Sequence, residues 1–168
     1  GARYVDMAGS GSEAVAMLQQ TRYDVVLCDL DLGRGKNGQQ VLEEAQLREL
    51  ILPTTVWIMV SAEKNIESIM SVAECRPDAY LLKPITEEVL LTRLNRAWKR
   101  KQVFRAIDTA YQEKNYLKAA QLCDAQIVLY KNQALPLLRM KANLLLRCGL
   151  PDQAREVFER VLATRNFN

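Results

Sequence analysis

The 168-residue chain contains no histidine, and its four cysteines (Cys28, Cys75, Cys123 and Cys148) form no C-x-x-C pair. A tetrahedral zinc site and a cysteine–histidine nucleophile are therefore not expected, and the thiols read as reduced and buried. Glycine (7) and proline (5) are sparse, against what a disordered or collagenous chain needs. No apolar run approaches the roughly 18 residues of a membrane span, and the N-terminus lacks the basic-then-apolar order of a signal peptide. The chain reads as a globular, cytoplasmic protein, of a length that suits one domain or two small ones. It also lacks G-x-G-x-x-G, G-x-x-x-x-G-K-[ST] and a nucleophile elbow, so a small α/β enzyme acting on a phosphorylated ligand has little support.

What is present divides the chain in two. Residues 1–100 carry 12 Lys+Arg against 14 Asp+Glu, whereas residues 101–168 carry 11 against 6. The basic charges of the second half lie at helical spacing, and only Lys99, Arg100, Lys101 and Arg105 cluster. A solvated helix face explains them better than a nucleic-acid surface, with an RNA-binding adaptor as the minor reading.

In the first half, short β-branched runs alternate with amphipathic stretches, the pattern of a parallel sheet with crossover helices. Tyr4 to Met7 is a candidate strand, and Ser10 with Glu13 forms a capping box that opens a helix reaching about Gln20. Residues 24–30 are apolar on both faces, as a central strand should be. From Gly38 the pattern is helical, with Val41, Leu42, Ala45 and Leu50 along one side. Residues 54–62 form a strand, residues 66–75 a helix, and residues 78–84 a strand ended by Pro84. From Thr86 to Gln133 no glycine or proline intervenes, which predicts a continuous helix joining a domain at 1–98 to one at 99–168.

The second half repeats weakly at 34 residues: Phe104 falls on Leu138, Tyr111 on Leu145, Leu117 on Pro151 and Ala120 on Ala154. This resembles the tetratricopeptide repeat (TPR), two helical hairpins with Gly149, Ala154 and Phe158 of the second copy at favoured positions. The first copy departs from it at Asn115, where a turn glycine is expected, and at Asp124. An ordinary pair of helical hairpins is the alternative. The resemblance implies a concave protein-binding groove lined by Arg105, Thr109, Gln112, Arg139 and Asn143, and further repeats are expected to follow.

Asp29, Ser61 and Lys83 end three successive strands, and open parallel sheets bind ligands at the carboxyl ends of their strands. A carboxylate, a hydroxyl and an ammonium group there suit an anionic group. Asp31 adds a carboxylate or points to water, and Gly33-Arg34-Gly35 lets the loop bend.

The stretches DVVLCDLDLGRGKNG, VSA and AYLLKP together resemble the receiver domain of two-component response regulators. The resemblance implies a flavodoxin-like, doubly wound parallel sheet. Asp29 would accept a phosphoryl group from a sensor histidine kinase or phosphotransfer protein, and Ser61 and Lys83 would bind that group. Tyr80 would switch with Ser61, and Lys83-Pro84 would be cis. It further implies a Mg²⁺ ion held by Asp29, the backbone carbonyl of Asp31 and an acidic pair after the first strand. Counted back from Asp29, residues 3–18 match the second strand and helix, so the first strand and the acidic pair are absent and Asp6 does not replace them. About 20 or more further N-terminal residues are therefore expected. The functional expectation is a response regulator whose TPR region binds an unknown protein. The alternative is a receiver-like scaffold or homodimerisation module that never carries phosphate.

Overall fold

The computed structural model describes residues 3–69 and 75–165. The chain forms two compact units, Gly1–Trp98 and Lys99–Asn168.

In the first unit the order is α1 (Gly11–Gln20), β1 (Val25–Asp29), α2 (Gly38–Leu47), β2 (Val56–Ser61), α3 (Ile66–Ile69), β3 (Ala79–Leu82) and α4 (Glu87–Lys101). The three strands are parallel in the order β1-β2-β3. All six residues of β2 are buried, as expected of a strand covered on both faces. Its side chains alternate: Trp57 and Met59 join Val15, Leu18, Val41, Leu42 and Ala45 in one cluster. Val56, Ile58 and Val60 meet Leu81 and Ala97 in another. This period of two places α1 and α2 on one face and α4 on the other, so a parallel sheet with flanking helices fits the flavodoxin-like fold. The far part of the helix expected over residues 66–75 lies outside the described residues.

Two expectations fail at one edge. Tyr4 to Met7 is not a strand: the segment has no ladder partner among the described residues, and Tyr4 and Met7 are each 88% exposed. Without a neighbouring strand its backbone groups gain nothing over water by extending into a ladder. Among the described residues β1 is correspondingly at the edge of the sheet and not central, and Leu27 in its middle is half exposed. The segment is tied to the start of β1 by Tyr23, whose hydroxyl donates to Asp6 Oδ2 at 2.8 Å. That bond raises the Tyr23 pKa.

Helix ends follow local chemistry. Ser10 Oγ accepts from Glu13 N–H at 3.2 Å, but the Glu13 carboxylate takes Gly9 N–H at 2.7 Å in place of the N-cap amide, so the expected box closes one residue early. A complete capping box occurs instead at Asn37 and Gln40. Asp78 frames the entry to β3: its carboxylate accepts from Trp57 N–H at 2.7 Å and its own N–H donates to Trp57 O at 2.8 Å.

After α4 the helix is not α-helical throughout, since a 3₁₀ turn at Gln102–Phe104 precedes α5 (Arg105–Gln112). Three more helices follow, α6 (Tyr116–Leu129), α7 (Ala134–Arg147) and α8 (Pro151–Arg165). The second unit is thus two helical hairpins. Its core includes Val103, Phe104, Ala110, Ala120 and Cys123, and, 34 positions later, Leu137, Leu138, Leu144, Ala154 and Val157. The repeat is therefore a repeat of burial. The two hairpin turns solve the same problem differently. Gly149 takes φ +71° in the second, whereas Lys114 takes φ +56° in the first and Asn115 caps α6 through its side chain.

Ile107 is fully buried, so Ile107→Ala is expected to destabilise the helical unit by about 2–5 kcal/mol; a chemical-denaturation midpoint that does not move would contradict this packing. Burial pushes the Cys123 thiol up to about 12. A raised folded value stabilises fully below the unfolded thiol value of about 8.5 and is lost as pH rises through the folded one. At pH 8, alkylation of the folded protein should mark the partly exposed Cys148 well before Cys123, and the reverse order would contradict the assignment.

Candidate functional site

The parallel register sets Asp29 opposite Val60 and Ser61 opposite Leu82. The ladder continues one residue beyond each outer strand: Leu30 N–H donates to Val60 O at 2.8 Å, and Lys83 N–H donates to Ser61 O at 2.9 Å. Backbone bonding alone therefore brings Asp29, Ser61 and Lys83 to one edge of the sheet, at the carboxyl ends of the strands.

Their side chains are already engaged. Lys83 Nζ forms an ion pair with Asp29 Oδ2. Asp29 Oδ1 accepts from Asp31 N–H at 3.0 Å, and Asp31 Oδ1 in turn accepts from Gly33 N–H at 3.0 Å. Ser61 is 4% exposed, and its Oγ accepts from Glu63 N–H at 3.0 Å. Accepting that bond leaves its hydroxyl hydrogen to donate elsewhere. The Lys83-Pro84 peptide is cis. Tyr80 stands beside Met59 in the register and packs partly buried against the Trp57 cluster; burial is the main cause of its raised pKa. Arg105, Thr109 and Gln112, spaced as one stripe on or beside α5, and Arg139 and Asn143 on α7, are all exposed.

The β1–α2 loop is closed by Gly38 N–H donating to Leu30 O at 2.9 Å. Gly38 is essential to that closure, because a Cβ there would lie 2.2 Å from Asp29 O and 2.9 Å from Met59 Sδ. The N-terminus of α2 thus rests directly on the backbone of Asp29. Lys36 is paired to Glu44, which also takes Arg48 at 2.8 Å. These contacts, Lys36 first, hold the Glu44 carboxyl below its usual range. Sequence reasoning missed both the close approach at Gly38 and the Glu44 cluster. The signals available were the Asn-x-x-Gln spacing at 37–40 and the basic residue four positions after Glu44.

The residues present do not by themselves fit a Mg²⁺ ion. Among the described residues no three acidic, cysteine or histidine side chains lie together. Both oxygens of Asp29 are committed to Lys83 and to an N–H group, and Asp6 to Tyr23. Mg²⁺ demands near-octahedral oxygen ligation, and one committed carboxylate with one carbonyl does not supply it. What the arrangement can do is hold an anion on Asp29 between an ammonium group, a backbone N–H and a buried hydroxyl.

Comparison with known proteins gives a concordant picture. The family described as the response regulator receiver domain matches residues 1–95. The probable C4-dicarboxylate response regulator DctR of Bacillus subtilis (strain 168) is 30% identical over 106 residues. That match covers 63% of this chain and 45% of the relative, so the chain spans less than half of that protein's length. A solved fusion carrying a trimeric coiled-coil segment of yeast Spc42 superposes with a TM-score of 0.51 at 22% identity, over 64% of this chain and 70% of that one. At that identity the likeness is one of fold.

Gly38→Ala is expected to lower stability by about 1–3 kcal/mol, the cost of forcing atoms into a filled space. A thermal midpoint equal to that of the unaltered protein would show that α2 does not seat on Asp29 as described.

Proposed function

Because this chain belongs to the response regulator receiver domain family, we propose that it accepts a phosphoryl group on Asp29 and passes the resulting change to a protein-binding helical unit. The observation that carries this reading is the Asp29–Lys83 ion pair with the buried Ser61 hydroxyl at the same sheet edge. The donor is a phosphohistidine on a sensor kinase or phosphotransfer protein. One Asp29 oxygen attacks phosphorus; the P–O bond forms as the P–N bond breaks, and the leaving imidazole keeps the electron pair and takes a proton from solvent. Lys83 and the Asp31 N–H offset the charge on the phosphoryl oxygens, and Ser61 donates its free hydroxyl hydrogen to one of them. Tyr80 follows Ser61 as the switch aromatic. Asp31 would contribute its backbone carbonyl to a metal bound there.

The second unit is read as a TPR pair, supported by the 34-residue recurrence of buried positions. Arg105, Thr109, Gln112, Arg139 and Asn143 form its protein-binding face. A second reading, a docking module that never carries phosphate, is favoured by the incomplete metal donor set among the described residues.

The two readings part on one measurement. The full-length protein is incubated with Mg²⁺ and a small acyl phosphate, and peptide masses are mapped for an acid-stable, base-labile adduct. An adduct at Asp29 that disappears in Asp29→Asn is expected. No adduct, or one undiminished in Asp29→Asn, sinks the first reading and leaves the second.

A further inference from the structure

Helix α6 is apolar on both of its sides. Ala119, Ala120 and Cys123 face the core, with Leu122 and Ile127 partly buried beside them. On the opposite side Leu117 is half exposed, and Val128 and Leu129 are 72% and 69% exposed. Leu117 and Val128 stand about three turns apart, so both fall on one line along the helix. Gln121 and Ala125, also exposed, lie between them. A helix that is apolar all round is one that is covered all round. Helix α8, by contrast, turns Gln153, Arg155, Glu156 and Arg160 outward.

The order of residues along this stripe identifies its occupant. Asp124, at the edge of the stripe, is bound through both carboxylate oxygens by Lys141 Nζ at 2.8 Å, so its charge is balanced within the unit. Lys118 can lay its methylene stem along apolar surface and keep its ammonium group in water. The stripe therefore carries apolar side chains at its two ends and the short Ala125 beside Gln121 at its middle. It reads the same in both directions. When two copies of α6 lie antiparallel, Leu117 of each meets Val128 and Leu129 of the other, and Gln121 meets Ala125. A twofold interface requires such self-matching, because one patch serves both subunits, whereas a foreign partner does not. We infer that α6 is a homodimer contact, two copies of the chain packing antiparallel along this stripe. The contact is independent of phosphorylation at Asp29. One 14-residue helix from each copy makes an interface at the small end of the specific range, so the dimer dissociates in the micromolar range.

The test is sedimentation equilibrium of the full-length protein across the micromolar range, where a monomer–dimer equilibrium is expected. Val128→Glu should raise the dissociation constant roughly tenfold or more, because it brings a carboxylate against Leu117 of the other copy. Leu117→Lys should do the same. The double variant should regain dimerisation, because antiparallel packing sets each new ammonium group against a new carboxylate of the other copy. Both side chains are exposed, so far-UV circular dichroism of the dilute variants should match that of the unaltered protein. A protein that stays monomeric throughout overturns the inference and leaves the stripe to a different partner. A dimer that neither single variant weakens places the contact elsewhere and overturns it too. A double variant as dissociated as the single ones overturns the antiparallel packing.

Discussion

The site depends on a parallel hydrogen-bond ladder that runs one residue past the ends of its outer strands. Leu30 N–H on Val60 O and Lys83 N–H on Ser61 O fix three residues, drawn from across 55 positions of sequence, to a common level. No side-chain contact is needed to assemble them, because burial of β2 on both faces already fixes the register. The ion pair between Asp29 and Lys83 follows from that placement. Both groups are partly open to solvent, so its contribution to stability is small and its importance is positional.

The second constraint is the seating of α2. A helix start that carries no side chain lets backbone meet backbone behind Asp29, and the Asn37–Gln40 box satisfies the amides that this close approach exposes. The carboxylate therefore sits on a rigid support, while the loop in front of it, turning at Gly33 and Gly35, is open.

Much of this was legible in the sequence. The alternation of β-branched runs with amphipathic stretches placed β1, β2, β3 and the first two helices, and polar residues ending apolar runs marked Asp29, Ser61 and Lys83 as neighbours. Periodicity could not show that Tyr4 to Met7 has no strand partner among the described residues, since alternation describes what a strand would bury and not whether another strand lies beside it. Nor could it show the Gly38 approach, which depends on three-dimensional distance to Asp29 and Met59. In the helical unit the 34-residue period was visible as residue types. The turn was misplaced because Lys114, not Asn115, takes the left-handed conformation there, leaving Asn115 free to cap α6.

The alternation of parallel pairing also settles what β1 presents on its other side. Asp24 and Leu30 bond to β2, so the even-numbered residues between them face it, and Val25, Leu27 and Asp29 direct their N–H and C=O groups away from it. With Leu27 half exposed on the same strand, this margin joins apolar surface to backbone groups that have no strand partner among the described residues. Such a margin offers the hydrogen-bond template on which one further parallel strand can pair.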